Sequence, residues 1–284
     1  MARRQHLPDN LSPEQVVALQ DALLANADRL LRAALTALDE DDAALARSLG
    51  ILGMEESGKA IALHERRVDM AHCAEGEVFV DDGLRKLWRE HHLKLDIVHR
   101  FLMLEQYWFG VAPSDPEENA EVLGTIQEWK REHNSFKQRG FYVDVTPEGE
   151  LLTPQDVTDP DVVRAVLEHV HQIGWQLRLG EHIEGRRQED QARSVPPASE
   201  EKIEDMRRLT DRMDPEIVER MLKSMREGAE GTPINNAAYG FTLSDKPFKN
   251  VGRPGYEAHD RELHALWQSL HCDNGDDEEP EPPE

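Results

Sequence analysis

The stretch Leu45-Ala46-Arg47-Ser48-Leu49-Gly50-Ile51-Leu52-Gly53-Met54-Glu55-Glu56-Ser57-Gly58-Lys59-Ala60-Ile61-Ala62-Leu63 decides the fold. Laid out at about 100° per residue, Leu45, Leu49, Leu52, Glu56, Lys59 and Leu63 fall within an arc of roughly 80°. A helix over about Ala43 to Met70 is expected, with two charged residues inside its apolar seam. Gly58 between them weakens the helix by roughly 1 kcal/mol relative to alanine, so its presence points to close approach of another backbone or a ligand.

Similar stripes lie on both sides. Ser12-Pro13-Glu14-Gln15 is a helix start, with a serine cap, proline at the first position and glutamine three residues after the cap. Val16, Leu23, Ala27, Leu30, Ala34, Leu35 and Leu38 then recur at helical spacing up to the acidic break at Asp39 to Asp42. A third helix is expected from Asp82 to Phe109. Its face carries Leu84, Leu87, Trp88, His91, Leu95, Val98 and Leu102, with Lys94 at the edge. A fourth follows Asp115-Pro116-Glu117-Glu118, aligns Val122, Ile126, Trp129, His133 and Phe136, and stops at Gly140. Phe141 to Thr153 reads as a short β-hairpin or arm around Pro147-Glu148-Gly149. Thr158-Asp159-Pro160 opens a fifth helix striped by Val162, Val166, Val170, Ile173 and Leu177. The expected fold is all-α, an antiparallel bundle of four to five long helices over 11–184 with the hairpin at 141–153. A less regular helical and loop-rich extension covers 185–272, with a linker near Pro196-Pro197 and a last short helix at 258–270. The tail 273–284, with seven acidic residues, three prolines and no base, is expected to be disordered.

Composition narrows the function classes. Among 284 residues, 57 acidic against 33 basic side chains leave a formal charge of −24, which repels phosphate and argues against a general nucleic-acid coat, leaving room for a local basic pocket. Cys73 and Cys272 are too few and too distant for a disulfide framework or a zinc site, and they suit a reducing cytoplasm. The residues after Arg3 and Arg4 are no signal peptide. The most apolar run, Ile97 to Ala112, is broken by His99, Arg100, Glu105 and Gln106, so no membrane span is expected.

Three helices thus each place ionisable groups on a stripe meant for burial. An unpartnered buried charge is very costly, so these groups must meet one another or open onto a cleft. Glu56 with Lys59, and His91 with Lys94, each lie one turn apart. Either they form an ion-pair network that fixes helix register, or they line a site. His133 reads most simply as a core histidine bonded to a backbone carbonyl.

Glu55-Glu56-Ser57-Gly58-Lys59 followed by Trp88-x-x-His91-x-x-Lys94 resembles the abortive-infection AbiV family, placed among the HEPN helical domains. Asn26-Ala27-Asp28-Arg29-Leu30-Leu31 is similar to that family's opening helix, and Lys137-x-x-Gly140-Phe141-Tyr142-Val143-Asp144 to its segment after the bundle, where an aliphatic residue is more familiar than Phe141. The resemblance spans about Leu11 to Glu184. It implies a bacterial antiphage protein that arrests growth or translation of the infected cell. Many HEPN proteins are metal-independent endoribonucleases in which an Arg and a His four to six residues apart form a composite site across a homodimer. Arg85/His91, Arg164/His169 and Arg253/His259 all have such spacing; Arg85/His91 is preferred because His91 also belongs to the motif above. On this reading His91 moves the proton, Lys59, Lys94 or Arg85 stabilise charge on the phosphorane, and Glu56 orients His91. Glu55, His133, Lys137 and Tyr142 are the accompanying binding residues. No metal and no cofactor is expected. The expected partners are a second copy, an RNA substrate, and a phage-encoded activator or the translation machinery. The alternative is a non-enzymatic module binding a phage protein or translation factor, its buried charges purely structural. A nucleotide-binding bundle is a third reading.

Overall fold

Ser12 caps α1 (Pro13–Asp39) with the reciprocal box its sequence announces: its hydroxyl accepts from the Gln15 N–H at 3.3 Å, and the Gln15 side chain accepts from the Ser12 N–H at 2.9 Å. A tight turn through Asp41, at φ 62°, reverses the chain into α2 (Ala43–His72), capped by Asp42. The computed structural model describes residues 7–104, 124–154, 160–210, 213–241 and 252–257. The segments expected at 105–109, from Asp115 to 123, at Thr158-Asp159, at 258–270 and at 273–284 lie outside the described residues.

The helix α2 is the axis of the molecule, buried along most of its length. Between Phe79 and Leu102 the chain departs from the sequence expectation. In place of one helix from Asp82 there are two, α3 (Asp82–Arg89) and α4 (His91–Leu104), separated by Glu90 in extended conformation at φ −110°, ψ 114°. Arg66 donates to the Phe79 carbonyl, Lys59 lies over Trp88, and Glu55 meets His91, so α3 runs antiparallel to α2. Gly58 then abuts Lys94, and Glu65 pairs with Arg100, so α4 runs back in the direction of α2. Folding back lets the apolar faces of both pieces, Leu84 and Leu87 on one and Leu95, Val98 and Leu102 on the other, join one core. No glycine or proline marks the reversal.

The helix ending at Gly140 is α5 (Ile126–Arg139), capped by Thr125. Gly124 and Thr125 are not helical, so it does not run unbroken from Asp115. Gly140 has φ −82°, and a Cβ there would stand 1.9 Å from the Ser48 hydroxyl and 2.2 Å from the Ala44 carbonyl. Its role is close approach of α5 to α2, not a left-handed cap. The hairpin follows as β1 (Asp144–Val145) and β2 (Leu151–Leu152), antiparallel, with Asp144 opposite Leu152 and Val145 opposite Leu151. Next, α6 (Pro160–Ala192) lays Val166 and Leu167 on Gly50 and Val170 on Gly53. Two charged helices, α7 (Glu200–Leu209) and α8 (Pro215–Glu227), pack on each other. A 3-10 turn at Ala237–Tyr239 returns the chain to α2, with the Asn236 N–H on the Ala71 carbonyl at 2.9 Å and the Tyr239 hydroxyl on the Leu11 carbonyl at 2.8 Å. The architecture is the expected all-α bundle with a small hairpin.

Candidate functional site

Charged residues of three helices, α2, α4 and α5, meet beside the middle of α2, with Trp88 of α3 next to them. Glu55 of α2 is buried; one carboxylate oxygen lies 2.7 Å from Nδ1 of His91 at the start of α4, and the other takes the ammonium of Lys137 from α5. Beside it, Glu56 holds Lys59 at 2.5 Å, and the Lys59 ammonium stands 5.6 Å above the Trp88 ring. Lys94 completes the group from α4. A Cβ on Gly58 would come within 2.4 Å of the Lys94 carbonyl, so the glycine is what lets α2 and α4 touch here.

Glu55, the first acid of the pair, holds the histidine, whereas the sequence reading gave that task to Glu56. With Lys137 on one oxygen, Glu55 faces Nδ1 of His91 with the other and so orients the ring. Nε2 is the ring nitrogen turned away from this carboxylate, on a side chain that is 63% exposed. Lys94 is buried and has no ion-pair partner among the described residues. Burial first, and the Lys59 charge second, push its ammonium down from the ordinary lysine value. Three lysines against two carboxylates give the site a net positive charge on a strongly acidic molecule. An oriented imidazole beside an under-compensated ammonium suits proton transfer next to an oxyanion.

The other expected site residues go elsewhere. Arg85 reaches from α3 to Asp9, side chain and carbonyl both at 3.2 Å, and to the Val80 carbonyl at 3.3 Å. The reversal at Glu90 separates its helix from that of His91. His133 is a core histidine: its Nδ1 is 2.7 Å from the Trp129 carbonyl, its ring packs 4.0 Å from Trp129, and burial pushes its pKa down to about 4. Tyr142 stands 68% exposed beside the hairpin, away from the Glu55 cluster. Among the described residues, no group of three or more His, Cys, Asp or Glu side chains is placed to hold a metal ion, and no helix is long and apolar enough to cross a membrane.

A second polar network was not foreseen. Arg178 of α6, fully buried, bonds Asp21 of α1, Glu181 at 3.0 Å and the Pro254 carbonyl at 2.9 Å. Arg253 reaches the same Asp21 at 2.7 Å, and Gln20 donates to Glu181 at 3.0 Å. Arg67 caps the Tyr239 and Gly240 carbonyls at 3.1 and 2.9 Å, its guanidinium 4.0 Å from the Phe241 ring. The network fastens the C-terminal segments onto the bundle. A signal existed in the sequence: the α6 stripe of Ile173 and Leu177 continues at helical spacing into Glu181, Glu184 and Gln188, all buried.

A family model described as AbiV, of the HEPN type, matches residues 15–175. No curated protein and no solved structure matches the chain. The matched span covers more than half of the sequence and contains every residue of the Glu55 cluster, α1 from its third residue on, and α2 to α5. With its helical bundle and the E-E-x-G-K and H-x-x-K motifs converging on one site, the chain belongs to the AbiV family of abortive-infection defence proteins.

Proposed function

We propose that this protein is an abortive-infection effector that arrests growth or translation of the phage-infected cell by metal-independent cleavage of RNA in the cytoplasm, acting as a homodimer. The observation that carries the reading is the Glu55–His91 pair, an exposed imidazole held through Nδ1 by a buried carboxylate among three lysines. In this reading Nε2 of His91 takes the 2′-hydroxyl proton, and the 2′-oxygen attacks the adjacent phosphorus. The bond to the 5′-oxygen breaks, leaving a 2′,3′-cyclic phosphate and a 5′-hydroxyl. Lys94 and Lys59 face the charge that builds on the non-bridging oxygens, the task the resemblance shared with Arg85. A second copy across the dimer supplies the acid that protonates the leaving oxygen.

The test is total RNA incubated in EDTA with wild type, His91→Ala and Lys59→Ala. Discrete products from wild type alone are expected, and His91→Ala, an exposed position, is expected to keep the fold while losing toxicity. Equal cutting or equal toxicity by His91→Ala overturns the reading. The net charge of −24 favours a second reading, a module that binds a phage protein or translation factor. Intact RNA together with a partner captured from infected cells through the Glu55 face is its expected signature.

A further inference from the structure

On the other face of α5 lies an open cavity of about 460 Å³, between the last turn of that helix and the hairpin. Lys137 and His133 point inward from α5, while Ser135, Gln138 and Arg139, three and four residues apart, share the opposite face and line the cavity. The Gln138 carbonyl accepts the N–H groups of both Phe141 and Tyr142 at 3.0 Å, and this turn brings Tyr142 into the cavity lining. Asp144 and Leu152, a cross-strand pair, form the far wall.

The Asp144 carboxylate accepts the Val145 N–H at 2.8 Å, whereas two other side chains of the lining are not tied into the fold among the described residues. Arg139 is exposed and has no ion-pair partner among the described residues. Tyr142 is 68% exposed, and among the described residues its ring makes only an edge contact with Phe141, 6.4 Å between ring centres. A free guanidinium, an exposed aromatic face, a side-chain amide, a hydroxyl and a carboxylate converge on a space of the size that small ligands occupy. An aromatic face takes a base, a guanidinium takes a phosphate, and an amide with a carboxylate reads a base edge or a ribose hydroxyl.

We propose that this groove binds one unstacked nucleotide unit, with its base on Tyr142 and its phosphate on Arg139, and that the unit belongs to a single-stranded RNA. The assignment of RNA rests on the ribonuclease reading, because α5 carries both this groove and, through Lys137, the carboxylate that orients His91. The groove then holds a nucleotide away from the bond being cut, and the hairpin serves as its wall.

The test uses full-length His91→Ala protein, so that binding is read without cleavage, with a fluorescein-labelled ten-nucleotide unstructured RNA followed by anisotropy. AMP and CMP serve as separate competitors. Tyr142→Ala is expected to weaken RNA binding by about 5- to 50-fold and Tyr142→Phe to restore it. Arg139→Gln is expected to weaken binding and to lower the salt slope by about 0.7. Binding of AMP or CMP titrated directly by calorimetry, in the absence of any RNA binding, would assign the same chemistry to a free nucleotide. RNA binding unaffected by both Tyr142→Ala and Arg139→Gln overturns the proposal, as does failure of RNA and mononucleotides alike to bind. An RNA that binds through Tyr142 but is never cut by wild type sinks the ribonuclease reading alone. Capture of a phage protein through Tyr142, with no nucleotide binding, makes the groove a protein contact and overturns it too.

Discussion

Glu55 and Glu56 are neighbours in the chain and differ in almost everything else. A rotation of about 100° places Glu55 in the buried junction of α2, α4 and α5, and leaves Glu56, 20% exposed, to hold Lys59. Glu55→Gln keeps the shape but strips the charge, leaving the largely buried Lys137 without its counter-ion and His91 without the carboxylate that orients it. We expect RNA cleavage to fall at least about 100-fold, and stability by on the order of 3 kcal/mol, since removing one partner of a buried pair leaves the other uncompensated. Initial rates and urea unfolding of the variant check both, and Glu56→Gln is expected to be milder in each. Full cleavage by Glu55→Gln would separate the pair from the chemistry. The motif that contains both acids was legible in the sequence. Which of the two meets His91 was not, because helical periodicity fixes angles within one helix and says nothing of what stands opposite.

Between elements, the contact that matters most is Gly58 against the Lys94 backbone. Alanine at 58 would gain roughly 1 kcal/mol of helix propensity, yet its Cβ would lie 2.4 Å from a carbonyl oxygen that cannot rotate away. Overpacking typically costs 1–3 kcal/mol, so Gly58→Ala is expected to be destabilising by about 1 kcal/mol or more and to move Lys94 and His91 out of register. A higher urea midpoint for the variant would refute the close approach. The sequence pointed to this contact through an otherwise costly glycine. It did not reveal the reversal at Glu90, since Arg89-Glu90-His91-His92 has no helix-breaking residue and the stripe runs through it without a phase change. The gain comes from packing both apolar faces on α2, a tertiary term that outweighs the lost helical bonds.

At the scale of the molecule, burial pushes three histidines among the described residues, His64 in α2, His133 in α5 and His169 in α6, down to about 4. Unfolded, they titrate near 6.5. Between about pH 6.5 and 4 the unfolded chain therefore binds more protons, and folding stability falls as pH falls through that window. Protonation of acidic groups relieves the −24 charge over the same range, but that long-range repulsion is screened by salt, whereas the buried imidazoles are not. Urea unfolding at pH 7, 6 and 5 in moderate salt is expected to show a progressive loss, on the order of a few kcal/mol; a flat profile would sink the account. The sequence by itself determined α1 with its Ser12 cap, α2, the hairpin, the charged seam and the family, because capping, periodicity and turn chemistry act over a few residues. Only the tertiary structure decided that Glu55 holds His91, that Arg85 turns away to Asp9, and that Arg178 is sealed beneath Arg253. Those pairings depend on helix direction and rotation, which are set when every buried face and every buried charge of the chain must be satisfied at once.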